Sequence, residues 1–240
     1  MVHGVPEAFV EGVLLDFHGT IVQVEDPLEW VLAAAADCGT TLDIMRATWL
    51  ADRLVTAGRA GGPLPGRIPP HLAEAWAHRD LTTASHRAAF AGLAATVDAG
   101  IEGLADALYE RCLRPEGWRT YEDTVPTLRA LHAAGVPVAI VSNIGFDIRE
   151  LCHALGFARY VSAWVLSYEV GHCKPDVAIF RHACRALGVE PARALMVGDT
   201  PADAAAVAVG CRTLVLPAAP PGGVNGLDAI LTLALDHRRS

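Results

Sequence analysis

The sequence predicts an α/β fold, a doubly wound parallel sheet interrupted by an inserted all-helical segment, and three observations lead there. Short continuous apolar runs at Val13–Leu15, Val138–Val141 and Ala194–Val197 alternate with amphipathic stretches, the pattern of parallel strands covered on both faces by helices. Each run stops on polar groups, Asp16, Ser142-Asn143 and Gly198-Asp199, and such sheets bind ligands at the carboxyl ends of their strands. Between Asp16 and Ser142 the chain runs for well over a hundred residues, whereas a strand–helix–strand unit needs only ~30. That stretch is expected to be an insertion lying over the strand ends: residues 25–118 form it, and residues 1–24 and 119–240 form the α/β core.

The elements follow in order from their punctuation. Gly12 and Gly19 bound the opening strand. Asp26 caps the first helix, Pro27 suits its first position, Trp30, Val31 and Ala34 supply the apolar face, and Gly39 ends it. A second helix is expected over Leu42–Ala57, a Gly- and Pro-rich loop over Gly58–Pro70, and further helices over His71–Val97 and Ile101–Leu113. No strand is expected inside this stretch. From Thr120 strands and helices alternate: a helix capped by Thr124 and ended by Gly135, the strand ending at Ser142, a helix from Asp147 to Leu155, and a strand within Tyr160–Leu166. Lys174-Pro175-Asp176 then opens a helix that Gly188 closes. After the strand ending at Asp199 come a helix from Pro201 to Val209, a strand over Thr213–Leu216 and a closing helix over Leu227–His237.

Composition bounds the function. The 240 residues, 52% hydrophobic and 19% charged, fit one domain carrying an insertion, with a large core. A net charge of −8 with no basic cluster beyond Arg238-Arg239 argues against nucleic acid as a partner. Six scattered cysteines without a Cys-x-x-Cys pair read as reduced thiols of a cytoplasmic protein. No signal-peptide pattern opens the chain and no apolar run approaches the ~20 residues that cross a bilayer. The mean hydropathy of +0.31 reflects alanine-rich helices.

The chemistry concentrates on Asp16-Phe17-His18-Gly19-Thr20. Side chains alternate along a strand, so Asp16 and His18 share a side if the extended conformation persists, and Gly19 allows a sharp turn or a close approach to the backbone. Asp16 and Asp199 with a backbone carbonyl make an oxygen-rich site suited to Mg²⁺. Asp203, at a helix start, joins that metal set or simply caps the helix. Lys174 either is a solvated surface lysine or neutralises a phosphoryl group and holds the nucleophile. Thr20, Ser142 and Asn143 are candidate hydrogen-bond donors to phosphoryl oxygens.

These motifs, in this order and over nearly the whole chain, resemble the haloacid dehalogenase (HAD) superfamily, in its phosphoglycolate phosphatase-like branch with a helical cap after the first strand. The resemblance implies a Rossmann-like core, Mg²⁺ and a phosphoaspartyl intermediate. It makes Asp16 the nucleophile, Ser142 and Lys174 the holders of the phosphoryl group, and Asp199 a metal ligand, with His18 and Asp203 as further metal candidates. His18 departs from the pattern, since phosphatases of the superfamily mostly have aspartate there. It replaces that aspartate as acid/base, or is an inert replacement in a weakened enzyme, or serves a different reaction. Its reference pKa of ~6.5 against ~3.9 for aspartate makes the first chemically reasonable. Asp199 weighs against dehalogenation, which in the superfamily needs no Mg²⁺.

Within the insertion, His86-Arg87 either reaches an anionic substrate group or forms a solvated helix face. Trp30, Trp49 and Trp76 read as its core. The expectation is a cytoplasmic Mg²⁺-dependent phosphohydrolase, monomer or homodimer, acting on a small phosphorylated metabolite. The alternatives are another hydrolase of the superfamily, such as a dehalogenase, and a catalytically silent phosphate-binding protein.

Overall fold

A computed structural model describes residues 10–235 of the chain; residues 236 and 237 of the expected closing helix and Arg238-Arg239 lie outside that range. The described residues begin with β1 (Gly12–Leu15) and β2 (Val22–Val24). The insertion follows as α1 (Pro27–Asp37), α2 (Ile44–Ala57), α3 (Ala73–Ala77), α4 (Thr83–Ala95) and α5 (Leu104–Cys112). Then come β3 (Trp118–Thr120), α6 (Thr124–Ala133), β4 (Val138–Ser142), α7 (Arg149–Ala154), β5 (Ala163–Leu166), α8 (Ser167–Val170) and α9 (Val177–Leu187). The described residues end with β6 (Ala194–Gly198), α10 (Pro201–Ala204), β7 (Arg212–Val215) and α11 (Asp228–Leu235).

Five strands form one parallel sheet in the order β5-β4-β1-β6-β7. Alternation along β1 serves both faces. Val13 and Leu15 join the apolar cluster that takes in Leu128 and Leu131 of α6, Leu151 of α7 and Ile230 of α11. Leu14 joins Ile179, Phe180 and Cys184 of α9 on the other face. The chain winds outward from β1 in both directions, so β1 and β6 flank the point where the strand order reverses, which is where open α/β sheets bind ligands.

Two short strands missed in the sequence mark the ends of the insertion. β2 and β3 pair antiparallel, Val22 with Thr120 and Val24 with Trp118, so the chain leaves and re-enters the core side by side. Three-residue strands of this kind carry too little alternation to stand out in a sequence. The insertion has its own apolar cluster, including Trp30, Leu50, Leu54, Leu104 and Leu108. Asp26 does cap α1, accepting the Leu28 N–H at 2.8 Å.

Several expectations are corrected. The helical stretch expected over His71–Val97 is broken between α3 and α4, because the Thr82 hydroxyl accepts the Ser85 N–H at 3.0 Å and starts a new helix. Thr124 does not cap α6; its hydroxyl donates to the Ile21 carbonyl at 2.7 Å and ties the helix start to the loop after β1. Trp30 is buried and donates to the Leu108 carbonyl at 3.0 Å, but Trp49 is 50% exposed with Arg53 over its ring, so it is not core. No helix among the described residues is long and apolar enough to cross a membrane.

Candidate active site

The site forms where β1, β4 and β6 end. Asp16 follows β1 directly, its N–H donating to the Val197 carbonyl of β6 at 2.9 Å. The extended conformation then stops: Gly19 has φ of +84° and its N–H returns to the Val22 carbonyl. Glycine is required there for a second reason. A β-carbon on Gly19 would lie 2.2 Å from an Asp199 carboxylate oxygen, so the absence of a side chain lets the two strand ends converge. At the end of β6, a β-carbon on Gly198 would lie 2.1 Å from Cγ of Asp203. Two glycines thus admit the two carboxylates.

Asp16, Asp199 and Asp203 bring oxygens within 4.8 Å of one another. Lys174 is buried among them: its ammonium donates to Asp16 Oδ1 and to Asp203 Oδ1, the latter at 2.6 Å. The surface-lysine reading is therefore overturned. Burial opposes the charge on Lys174, but Asp16 and Asp203 outweigh it and hold the ammonium above its usual pKa. Burial raises the Asp16 carboxyl, Lys174 pulling the other way. Burial, with Asp16 and Asp203 adding to it, pushes the Asp199 carboxyl up to about 7. A carboxyl that resists ionisation beside two others marks a place short of positive charge, and a purely oxygen donor set suits a hard cation such as Mg²⁺. Asp203 is the least available of the three, since its Oδ2 already accepts the Thr200 N–H at 3.0 Å and the Thr200 hydroxyl at 2.6 Å. It caps α10 and holds Lys174 at once.

The remaining candidates fall elsewhere than expected. Thr20 is fully buried and its hydroxyl donates to Asp16 Oδ2 at 3.2 Å, so it holds the carboxylate in place. Asn143 grips the backbone of Lys174: its side-chain oxygen accepts the Lys174 N–H at 2.7 Å and its amide donates to the Lys174 carbonyl at 2.8 Å. Both contacts orient the lysine, which makes Asn143 a positioning residue. Ser142 ends β4, buried, two residues beyond the level at which Ile140 pairs with Leu15. Asn143→Ala is expected to lower kcat about 10²-fold with a smaller change in KM, because a misplaced lysine harms the reacting geometry more than binding. Steady-state kinetics on the purified variant would check this, and an unchanged kcat would remove Asn143 from the site.

His18 is not among the clustered metal candidates. Its ring lies edge-on to Trp118, ring centroids 6.1 Å apart. A β-carbon on Gly61, from the glycine-rich loop after α2, would come 2.9 Å from its Nε2, and that nitrogen is buried without a hydrogen-bond partner. Burial lowers the imidazole to about 4, the Arg59 guanidinium adding to the effect and Gln23 opposing it. His18 is therefore neutral at physiological pH.

The proposed anion contact at His86-Arg87 is also corrected. His86 is packed against Phe90, Tyr109 and Phe146, and its Nδ1 shares a hydrogen bond of 2.9 Å with the Tyr109 hydroxyl. Burial lowers it to about 3, so it carries no charge to offer an anion. Arg87 faces outward and pairs with Asp106 at 3.1 Å and with Glu110.

Three groups near the site gave no signal in the sequence. Asn225, from the Gly- and Pro-rich loop after β7, donates to the carbonyls of Thr20 and Gly19 at 2.8 and 3.2 Å and so fixes the turn after Asp16. The Ser167 hydroxyl accepts the Ile144 N–H at 2.8 Å and donates to the Asp80 carbonyl, pinning the insertion to the loop after β4. Burial raises the Asp80 carboxyl, against the pull of Arg79 and Lys174, which places a fourth carboxyl within the field of that lysine.

A family model of haloacid dehalogenase-like hydrolases matches residues 10–209 of the chain. The mouse haloacid dehalogenase-like hydrolase domain-containing protein 3 is 36% identical over 97 residues, covering 40% of this chain and 39% of that protein. A phosphoglycolate phosphatase of Neisseria gonorrhoeae is 37% identical over 98 residues, 40% of this chain and 42% of the phosphatase. The aligned stretches thus span about two-fifths of these relatives. A solved 2-haloacid dehalogenase of Pseudomonas syringae pv. Tomato shares the fold with a TM-score of 0.58 at 22% identity, covering 96% of this chain and all of that one.

Proposed function

This chain belongs to the haloacid dehalogenase-like hydrolase family, and from that premise we propose that it is a Mg²⁺-dependent phosphatase acting on a small phosphorylated metabolite. The observation that carries the reading is Lys174, buried and shared between Asp16 and Asp203 within a three-carboxylate cluster at the strand ends. A buried ammonium in that place binds an anion as it leaves one carboxylate, and a phosphoryl group is the anion that also suits a hard cation. Mg²⁺ held by Asp16 and Asp199 would neutralise charge on the phosphoryl oxygens.

In this reading the carboxylate of Asp16 attacks phosphorus, the ester bond to the leaving oxygen breaks, that oxygen takes up a proton from solvent, and an aspartyl phosphate forms. Thr20 fixes one Asp16 oxygen while Lys174 offsets the charge on the other. A neutral His18 suits the second step, in which it accepts a proton from the water that cleaves the aspartyl phosphate, better than donation to the first leaving group. The insertion, whose Gly61 covers His18, acts as the cap over the site. The thiols of a reducing cytoplasm fit the six free cysteines.

An aryl phosphate, whose leaving group needs no proton, is the probe of choice. Phosphate release that depends on added Mg²⁺ supports the reading. Halide release from a 2-chloro acid in its place points to a dehalogenase, and phosphate binding without turnover points to a silent binding protein; either result overturns it. The Asp199 carboxyl gives the metal dependence a pH signature. Its proton must leave before a cation binds, and with the group near 7 the apparent Mg²⁺ affinity is expected to fall about tenfold from pH 8 to pH 6. Titrating activity against Mg²⁺ at each pH measures it, and an affinity flat across that window removes Asp199 as a ligand.

A further inference from the structure

Two cysteines outside the site stand in contact. Cys184 lies on the inner face of α9 and Cys211 sits between Gly210 and the start of β7. Their sulfurs are 3.8 Å apart and share a hydrogen bond. Both belong to the apolar cluster on the α9 face of the sheet, Cys184 at 2% and Cys211 at 4% exposure. Both backbones are held: Cys211 N–H donates to the Ala206 carbonyl at 3.2 Å, and Val189 N–H to the Cys184 carbonyl at 3.0 Å. A disulfide has its sulfurs about 2.05 Å apart, so bond formation draws the two sulfurs closer than they stand in the thiol pair.

We propose that Cys184 and Cys211 form a redox modification site, which hydrogen peroxide converts to a disulfide that a thiol reductant reverses. The two thiols share one hydrogen bond that either can donate, and the sulfur that accepts it is the first to react; with Cys211 as donor that sulfur is Cys184. The Cys184 sulfur, having released its proton, attacks one peroxide oxygen. The O–O bond breaks, the hydroxide that leaves takes up that proton as water, and Cys184 becomes a sulfenic acid. The Cys211 sulfur then attacks the sulfenic sulfur; the S–S bond forms as the S–O bond breaks, and the departing hydroxide leaves with the Cys211 proton as a second water. Each sulfur loses one electron and the peroxide gains two. With Cys211 already in contact, the sulfenic acid is captured before a second peroxide can reach it.

The bond joins the N-terminal end of β7 to α9, away from the strand ends where Asp16 and Asp199 lie. It closes a loop containing β6, Asp199 and Asp203, and closure of such a loop restricts the unfolded chain. Oxidation is therefore expected to stabilise the fold without entering the chemistry of the site.

The test is peroxide treatment of the reduced full chain, alkylation, and tryptic digestion without reductant. Peptides 182–185 and 194–212 should appear joined, at a mass two hydrogens below their sum. The oxidised protein should melt about 5 °C or more above the reduced one, and dithiothreitol should reverse both changes. Cys211→Ala should lose the link and the shift while keeping the basal turnover. Peptides that stay separate and alkylated, or a Cys184 recovered as sulfinic acid, overturn the proposal; so does a linked protein that melts no higher. Mapping the unmodified sequence needs no variant, so the result stands whether or not Cys211→Ala folds, and it does not depend on the phosphatase reading.

Discussion

Asp16→Asn is expected to abolish Mg²⁺-dependent phosphate release, lowering kcat by about 10⁴-fold or more, while leaving the fold intact. The amide oxygen still accepts from Lys174, so the substitution is nearly isosteric; what disappears is the oxygen nucleophile. Stability should respond in the opposite sense. The folded-state pKa of Asp16 is raised, so folding favours its protonated form. Whatever that shift contributes is present at low pH and is lost as pH rises through the folded value. A neutral amide at this position is spared the loss, and the melting temperature at pH 7.5 should be equal to or higher than that of the unsubstituted protein. Malachite-green phosphate assay and differential scanning fluorimetry on the same preparation read the two effects separately. Turnover within tenfold of the original would remove Asp16 as the nucleophile; a collapsed melting temperature would mean that the carboxylate holds the fold.

Lys174→Met carries the second large effect, and here activity and stability should fall together. The ammonium is the shared partner of Asp16 and Asp203 in a site almost closed to water. Removing it leaves carboxylates buried without their counter-charge, a change that typically costs about 3–5 kcal/mol. Without the lowering pull of Lys174, the Asp16 carboxyl also rises further, so the acid limb of the pH–rate profile should move upward. We expect kcat to drop about 10³-fold at pH 7 with partial recovery at higher pH. Mg²⁺, by returning positive charge to the cluster, should raise the melting temperature of this variant more than that of the original. Urea unfolding at pH 7.5 with and without Mg²⁺ measures the stability side. A variant as stable and as active as the original would mean that Lys174 bears on neither.

The candidate site was legible in the sequence to the extent that chemistry follows chain position. Asp16, Lys174, Asp199 and Asp203 could each be named from a polar residue placed where an apolar run ends or a helix begins, and the structure brings these four side chains together. The same logic failed for residues whose partners come from remote parts of the chain. His18, two residues past the nucleophile candidate, has its surroundings set by Trp118 and Gly61, both remote in the chain. Asn143 looked like a donor to a ligand, yet Lys174, far along the chain, claims both ends of its amide. His86, beside an arginine, looked charged and reachable; the aromatic rings around it come from α4, α5 and the loop after β4.

The amino-acid sequence by itself determined the parallel α/β core, the long helical insertion after the first strand, and the strand ends as the place of chemistry, because period, caps and breakers act over a few residues and are written locally. Only the tertiary structure decided which groups remain free to react. Asn225 holding the turn at Gly19, Ser167 pinning the insertion, Gly61 covering His18 and the paired sulfurs of Cys184 and Cys211 all join residues remote in the chain. Such contacts fix burial and hydrogen-bond partners, and those set whether a polar group is charged, satisfied or exposed.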